Sequence, residues 1–506
     1  MKLETLRNGL ANLLAGALPI LVVIFTTPYV VNTLGAGHYG LLTLITAIIG
    51  YFAIIDLNFT AGSLKYVSEF HVSGQHHKRD QTITAGLLIY LAIGMIGCIL
   101  IYLFSGWLVT EVFSVPDADH ALADSCLKLA AFGFMLGQIQ VYLNSIPQSL
   151  RRYDQSALYE TIFGIAAPIA NVLVLWLGGG LFEIIWVRIL LSVINVAVLA
   201  RLIRQLLPDS RFSRPACEVL GKLTRFSGFA YLSRLAALAY SQGDKLIIGA
   251  LAGMSALTYY AVPFMLANRV YGLSYRMSSV LLPAASSLAA VNQHAQMEEL
   301  YLYSARYVLF INGTLTLLLV SAAHEILLYW IGPDMAAAGS LILVLIALGN
   351  FLDSLTNAPS LVNDALGQPK ITGLFAISRA MLGLTAVFVM VKAMGITGAA
   401  VAQLAVSVMV PAMFLIYVHG RTVPVNLGRF LKSVFVPSLP LLFAAILFAM
   451  LRHDGQALTL LQTTGLILVE VIVASLYGWF FVARSSDRSA LLRQLANMSL
   501  DKGEAR

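Results

Sequence analysis

Residues 87–104 read Leu87-Leu-Ile-Tyr-Leu-Ala-Ile-Gly-Met-Ile-Gly-Cys-Ile-Leu-Ile-Tyr-Leu-Phe104, without one Asp, Glu, Lys or Arg. A surface helix of a soluble protein carries a polar face. A membrane β-barrel strand alternates apolar and polar positions over about ten residues. This stretch does neither, and with its flanks it reaches the roughly 20 apolar residues that cross a bilayer as a helix. Working outward, runs of the same kind recur about fourteen times, from residues 10–31 to residues 463–482. Of the 506 residues, 59% are hydrophobic and only 11% are charged, and the mean hydropathy is +0.82. Soluble domains carry about 25% charged residues, so this chain cannot cover a water-facing surface. A soluble enzyme and a disordered scaffold are excluded. The expected fold is an all-α polytopic membrane protein.

The polar punctuation orients it. Lys65, Lys78, Arg79, Arg151, Arg152, Arg201, Arg204, Arg211 and Arg214 fall on one side of the span map, and Glu111, Asp117, Asp119 and Asp334 on the other. Lys and Arg gather in cytoplasmic loops, so both termini are expected in the cytoplasm. The same rule accounts for the formal net charge of +7 without nucleic acid. The first run, with Ala15-Gly16-Ala17, superficially resembles a signal peptide. The triplet comes too early and the run is too long, so it is read as a retained first helix. No loop is long enough to fold by itself. The longest, about residues 204–225, divides two groups of about six helices. The expected organisation is a six-helix lobe over 1–210, a second over 211–431, an extra helical pair over 432–482 and a cytoplasmic tail over 483–506.

Two stretches share one design of helix end, small-residue turn, tyrosine and next helix. One is Leu34-Gly-Ala-Gly-His-Tyr-Gly40 and the other runs from Gly243 to Ala261. They open the two six-helix groups and read as a parallel internal repeat, the kind that builds transporters with a site between repeats. The first turn, with Ile55-Asp56-Leu57, Asp244-Lys-Leu-Ile-Ile-Gly249 and Leu281-Leu-Pro-Ala-Ala-Ser-Ser287, resembles the polysaccharide flippases of the multidrug/oligosaccharidyl-lipid/polysaccharide flippase superfamily. The resemblance spans roughly residues 5–430. It implies two lobes around a central cavity. It also implies transport of an undecaprenyl-diphosphate-linked oligosaccharide from the cytoplasmic to the periplasmic leaflet of a bacterial inner membrane, for lipopolysaccharide or exopolysaccharide synthesis. Membrane lipids, a polysaccharide polymerase and chain-length proteins are the partners it suggests. Many such flippases stop at twelve helices, whereas the lipid II flippase branch has fourteen, so a lipid II flippase stays open as an alternative. A cation-coupled multidrug antiporter is another, and a membrane glycosyltransferase or polymerase a third.

No GxxxxGK[ST] loop is present to cradle ATP. Cys98, Cys126 and Cys217 form neither a CxxC nor a zinc pattern, and His76-His77 read as a solvated loop. An enzyme and a cofactor are not expected, and coupling to H+ or Na+ is left open. The chemistry rests on ionisable residues inside spans, each costing roughly 2.5–3.5 kcal/mol at a span centre. Arg269 and Arg276 are seven apart and share a helix face. With Arg234 and Arg379 they form the expected cationic patch for a diphosphate, flanked by Tyr271 and Tyr275. Asp56, Asp244 and Asp353 are expected either to couple transport to an ion or to pair structurally. Arg188 is read as an ionisable residue within a span, or near the membrane edge if the sixth helix is shifted, and Lys128 and Glu183 as snorkelling toward that edge.

Overall fold

The computed structural model describes residues 2–55, 59–214, 242–278, 281–291, 293–423, 425–451, 458–484 and 488–489, and no strand occurs among them. In chain order the helices are α1 (Lys2–Phe52), α2 (Phe59–Val72), α3 (His76–Trp107), α4 (His120–Ser149), α5 (Tyr153–Trp176) and α6 (Leu181–Leu206). Then come α7 (residues 242–251), α8 (Met254–Ser278), α9 (Leu281–Ala290), α10 (His294–Ser321), α11 (Ala323–Trp330) and α12 (Pro333–Ser354). The last are α13 (Asn357–Ala365), α14 (Pro369–Arg421), α15 (Leu427–Phe430), α16 (Leu439–Leu451) and α17 (Leu460–Tyr477).

Ten segments of the described residues are long and apolar enough to cross a membrane. Two of them, in α1 and α14, are each broken at a glycine with positive φ, Gly35 at +75° and Gly395 at +62°. No atom lies within 4 Å of where a Cβ would sit at either position. The demand there is therefore backbone conformation rather than room, which only glycine meets without strain. The breaks fall in the gaps expected between neighbouring spans, so the ten segments contain twelve crossings. Helices α7 and α8 lie where the seventh and eighth spans were expected. The all-α polytopic reading, with about fourteen spans, holds.

The chain forms two compact units. The first comprises Met1–Val262 with Ala376–Ala402, and the second Pro263–Phe375 with Gln403–Arg506. In the first, α4 packs against α3 and α6, and α1 against α5. Small residues let these helices approach, as expected where lipid supplies no hydrophobic drive between them. Gly86 leaves no space for a Cβ beneath the Tyr142 ring, nor Gly97 beneath Phe134. Tyr142 stacks on Tyr90 with ring centroids 5.3 Å apart, and its hydroxyl donates to the Ile83 carbonyl at 2.8 Å.

The two glycine-turn motifs meet inside this unit. Gly40 abuts the Met254 carbonyl, and Gly249 packs on Leu44. The Thr258 hydroxyl donates to the Ala36 carbonyl at 2.6 Å, which satisfies an acceptor beside the helix break at Gly35. A second device straps the segment after α6 to the start of α3. The Asp80 carboxylate accepts from the Ser210 hydroxyl at 3.0 Å, the Arg211 N–H at 2.9 Å and the Arg79 guanidinium at 2.8 Å. The Ser213 N–H donates to the Thr84 hydroxyl at 3.3 Å.

The second unit is built around Tyr301, Phe351, Phe414 and Phe430, all buried. Tyr301 stacks on Phe430, and its hydroxyl pairs with His419 Nε2 at 2.9 Å. The extra pair, α16 and α17, belongs to this unit. Glu470 of α17 is buried within a span, and its carboxylate accepts the Ser321 hydroxyl at 2.8 Å. At the helix ends the Tyr329 hydroxyl donates to the Leu458 carbonyl at 2.6 Å, and Arg306 donates to the Phe481 carbonyl at 2.8 Å. Leu461, Leu468, Ile472 and Val473 project outward, the surface a bilayer would cover.

Candidate functional site

In the first unit the polar interior is organised by α6. At about 3.6 residues per turn, Leu181, Ile184, Ile185, Arg188, Ile189, Ser192 and Asn195 share one face. The four apolar members are buried. The opposite face, with Glu183, Trp186, Leu190, Val193 and Ile194, is exposed. Arg188 thus stands in the middle of the inward face. Its Nε donates to Asn171 Oδ1 at 3.3 Å, and Asn171, on α5, is only 7% exposed. Tyr39, just past the α1 break, lies within electrostatic reach of the guanidinium. Among the described residues no carboxylate lies within ion-pair distance of Arg188. Farther along, Gln140 donates to the Ser192 carbonyl at 2.8 Å. Gln138 Oε1 and Asn195 Oδ1 are buried without a hydrogen-bond partner.

The neighbouring charges have other employment. Glu183 accepts the Gly180 N–H at 2.8 Å and closes a capping box at the start of α6. Lys128 pairs with Asp124 at 2.8 Å, one turn away on α4, and Asp124 also receives the Ser105 hydroxyl.

In the second unit a small cleft of about 10 Å³, room for about one water, is lined by Tyr271, Asn312, Thr316, Asn350 and Phe351. The Tyr271 hydroxyl donates to Asn357 Oδ1 at 3.1 Å. The Nδ2 groups of Asn312, Asn350 and Asn357 are buried and unmatched. Unmatched buried polar groups cost about 1–3 kcal/mol each, so several together mark a place kept for a polar ligand or water.

The residues expected from the sequence are distributed as follows. Asp56 and Arg234 lie outside the described residues. Arg276 and Tyr275 are on α8, with side chains outside the described set. Arg269, also on α8, is exposed, and Tyr271 borders the amide cleft. Arg379 is partly buried and lies in the first unit, whereas Arg269 lies in the second. Asp244 is 1% exposed, accepts the Tyr260 hydroxyl at 2.9 Å and sits beside the Lys245 ammonium. Asp353 accepts the Ser407 hydroxyl at 3.1 Å. No cluster of three metal-ligating side chains occurs among the described residues. The amides Asn171, Asn312, Asn350 and Asn357 escaped the sequence reading because a lone amide in an apolar run carries no charge to flag it. The helical phase of Arg188 against its exposed neighbours was the available signal for that residue.

Comparison with known proteins agrees with this architecture. Residues 5–289, more than half of the chain, match the family described as polysaccharide biosynthesis protein. A Shigella flexneri protein that bears the provisional name of O-antigen transporter is 20% identical over 83% of this chain and 98% of its own length. The lipid II flippase MurJ, in an inward closed conformation, superposes with a TM-score of 0.72 at 15% identity, over 96% of this chain and all of that one. An inward-facing multidrug resistance MATE family transporter superposes with a TM-score of 0.66 at 13% identity, over 81% and 98%. The chain therefore belongs to the polysaccharide biosynthesis protein family, with the fold of the multidrug/oligosaccharidyl-lipid/polysaccharide flippase superfamily.

Proposed function

We propose that this protein carries an undecaprenyl-diphosphate-linked oligosaccharide from the cytoplasmic to the periplasmic leaflet of a bacterial inner membrane by alternating access. The observation that carries this reading is the set of buried amides with an unmatched polar atom in both units, Gln138 and Asn195 in one and Asn312, Asn350 and Asn357 in the other. An amide offers both a carbonyl acceptor and N–H donors, which suits a hydroxyl-rich headgroup. A transporter of organic cations needs carboxylates to meet its cargo. Here Asp244 and Asp353 are each held by a hydroxyl donor. Family membership and the flippase-like fold support the same reading.

Arg269, Arg276 and Arg379, with Arg234, are the proposed diphosphate contacts. Tyr271 and Tyr275 are proposed to flank the sugars, and Asp56, Asp244 and Asp353 to pair or couple. The energy source need not be ATP. Moving charge across a membrane is worth about 2.3 kcal/mol per unit charge per 100 mV. A headgroup of roughly two negative charges gains about 4–5 kcal/mol on leaving a negative interior at that potential.

The test is reconstitution. Purified protein in proteoliposomes should expose a fluorescent lipid-diphosphate oligosaccharide to the opposite leaflet, faster with the donor side negative. A multidrug cation should be neither moved nor competitive. Movement of the cation and not the glycolipid would refute the proposal. The orientation is tested in cells on a cysteine-free background. Cysteines at Gly74 and Ser213 should resist an impermeant thiol reagent, and one at Asp117 should react.

A further inference from the structure

Arg188 poses a specific question. A guanidinium inside a span stays charged and is costly without a partner. The usual solution, a carboxylate in ion-pair range, is missing among the described residues. Its helix-mates at the same phase are buried, so the side chain is directed into the first unit and not toward lipid. Asn171 occupies one edge of the guanidinium through Nε. The remaining donors, on Nη1 and Nη2, have no hydrogen-bond acceptor among the described residues. The face continues through Ser192 to Asn195, whose buried Oδ1 is itself unmatched.

From this geometry we infer that Arg188, held by Asn171 beside Tyr39, is an anion-binding residue of the first unit and takes a phosphate oxyanion of the lipid-linked cargo. The inference rests on the flippase reading and deepens it, because it assigns the headgroup's charged end to a station absent from the expected arginine patch. A guanidinium fork matches two phosphate oxygens at once. Asn171 fixes the Nε edge and leaves the Nη edge for the ligand. Asn195, about two turns beyond it on α6, is of the kind that binds an adjoining sugar hydroxyl. Arg188 lies two turns from the α6 N-terminus, in the half of the unit nearer the Asp117–Asp119 loop. The station is thus reached late in outward transport if that loop is periplasmic.

The experiment uses the full chain in phosphatidylcholine nanodiscs. The unmodified protein is treated with phenylglyoxal, an arginine-selective reagent, and the Arg188 peptide is quantified by mass spectrometry. The treatment is repeated with a polyprenyl diphosphate, with the matching polyprenol and with inorganic pyrophosphate. Protection by the polyprenyl diphosphate, and none by the polyprenol, is expected. Equal modification under all conditions overturns the assignment, and protection by pyrophosphate alone overturns the lipid-linked source. In parallel, Arg188→Gln should weaken polyprenyl diphosphate binding at least ten-fold, Arg188→Lys should restore it only in part, and the exposed Arg201→Ala should bind normally. Normal binding by Arg188→Gln also refutes the inference. If the protein flips its glycolipid while Arg188 is neither protected nor required, this assignment fails and the function stands. If Arg188 is protected but no glycolipid is flipped, the function fails and the anion site stands.

Discussion

In the second unit several buried or part-buried polar groups are closed by a hydroxyl or an imidazole. Glu470 receives the Ser321 hydroxyl, Asp353 that of Ser407, and Tyr301 meets His419. The unmatched atoms there include the neutral amides around the Tyr271 cleft and, on charged side chains bonded through their other atoms, Glu470 Oε1 and Arg306 Nε. The first unit follows the same rule at Asp244, which Tyr260 and Lys245 hold. It departs from the rule at Arg188, where an amide stands in place of a carboxylate. A matched buried charge is scaffold, since removing one partner strands the other. An unmatched one is a demand that a ligand can meet. On the proposed reading, the Tyr271 cleft meets neutral hydroxyls and the Arg188 face an anion.

The contrast breaks first at its two extremes. Arg188→Gln should slow glycolipid flipping ten-fold or more, about 1.4 kcal/mol per decade, while the thermal midpoint stays near that of the parent. Glu470→Gln keeps an acceptor for Ser321 and removes only a charge, so flipping should remain within about two-fold. Equal losses from both would erase the distinction between an anion site and a scaffold pair. Flipping rates and melting curves on the same preparations decide it.

A smaller effect, on stability alone, sharpens the scaffold side. Asp244→Ala strands the Tyr260 hydroxyl and the Lys245 ammonium in a buried site and should cost about 3 kcal/mol. Tyr260→Phe should cost about 1 kcal/mol. The double variant should lose less than the sum, because Tyr260→Phe removes one of the two groups that Asp244→Ala strands. Strict additivity in denaturation experiments would mean that Asp244 is held by something other than Tyr260.

The smallest effect concerns the strap between α6 and α3. Arg79 donates to His76 Nδ1 at 3.1 Å and lies 3.5 Å from His71 Nδ1. Partial burial first, and then the Arg79 and His76 charges, hold the His71 pKa below the ordinary value of 6.5. A depressed histidine is neutral in the fold. Its contribution is present above that ordinary value and is lost as pH falls through the lower folded value. Trypsin cleavage after Arg211, normalised to a free peptide of the same segment, should therefore quicken modestly on acidification below pH 6.5. Asp80→Asn should produce a several-fold increase already at neutral pH. A cleavage rate indifferent to both changes would show that the strap does not hold that segment.

Much of this was legible in the chain. Apolar runs with so few charges can be nothing but membrane helices, because hydropathy is a local sum that survives any packing. The breaks at Gly35 and Gly395 were legible as gaps between runs, since a positive φ is a property of the residue itself. The interlocking of the two glycine turns was not legible. They are more than two hundred positions apart, and repeat-like spacing says nothing about whether two copies touch. The candidate site divided in the same way. Arginines in spans announced that charge would be used inside the membrane, because its cost is intrinsic to the side chain. Which of them meets a carboxylate, which is exposed like Arg269 and which is aimed inward like Arg188 depends on helical phase and on what a neighbouring helix presents. Those are properties of the assembled fold. Asp244 finds its hydroxyl on α8 and Glu470 its own on α10, while Arg188 finds Asn171 on α5. Only tertiary packing brings such distant positions within hydrogen-bond range, and so only it decides which charges are closed and which remain available.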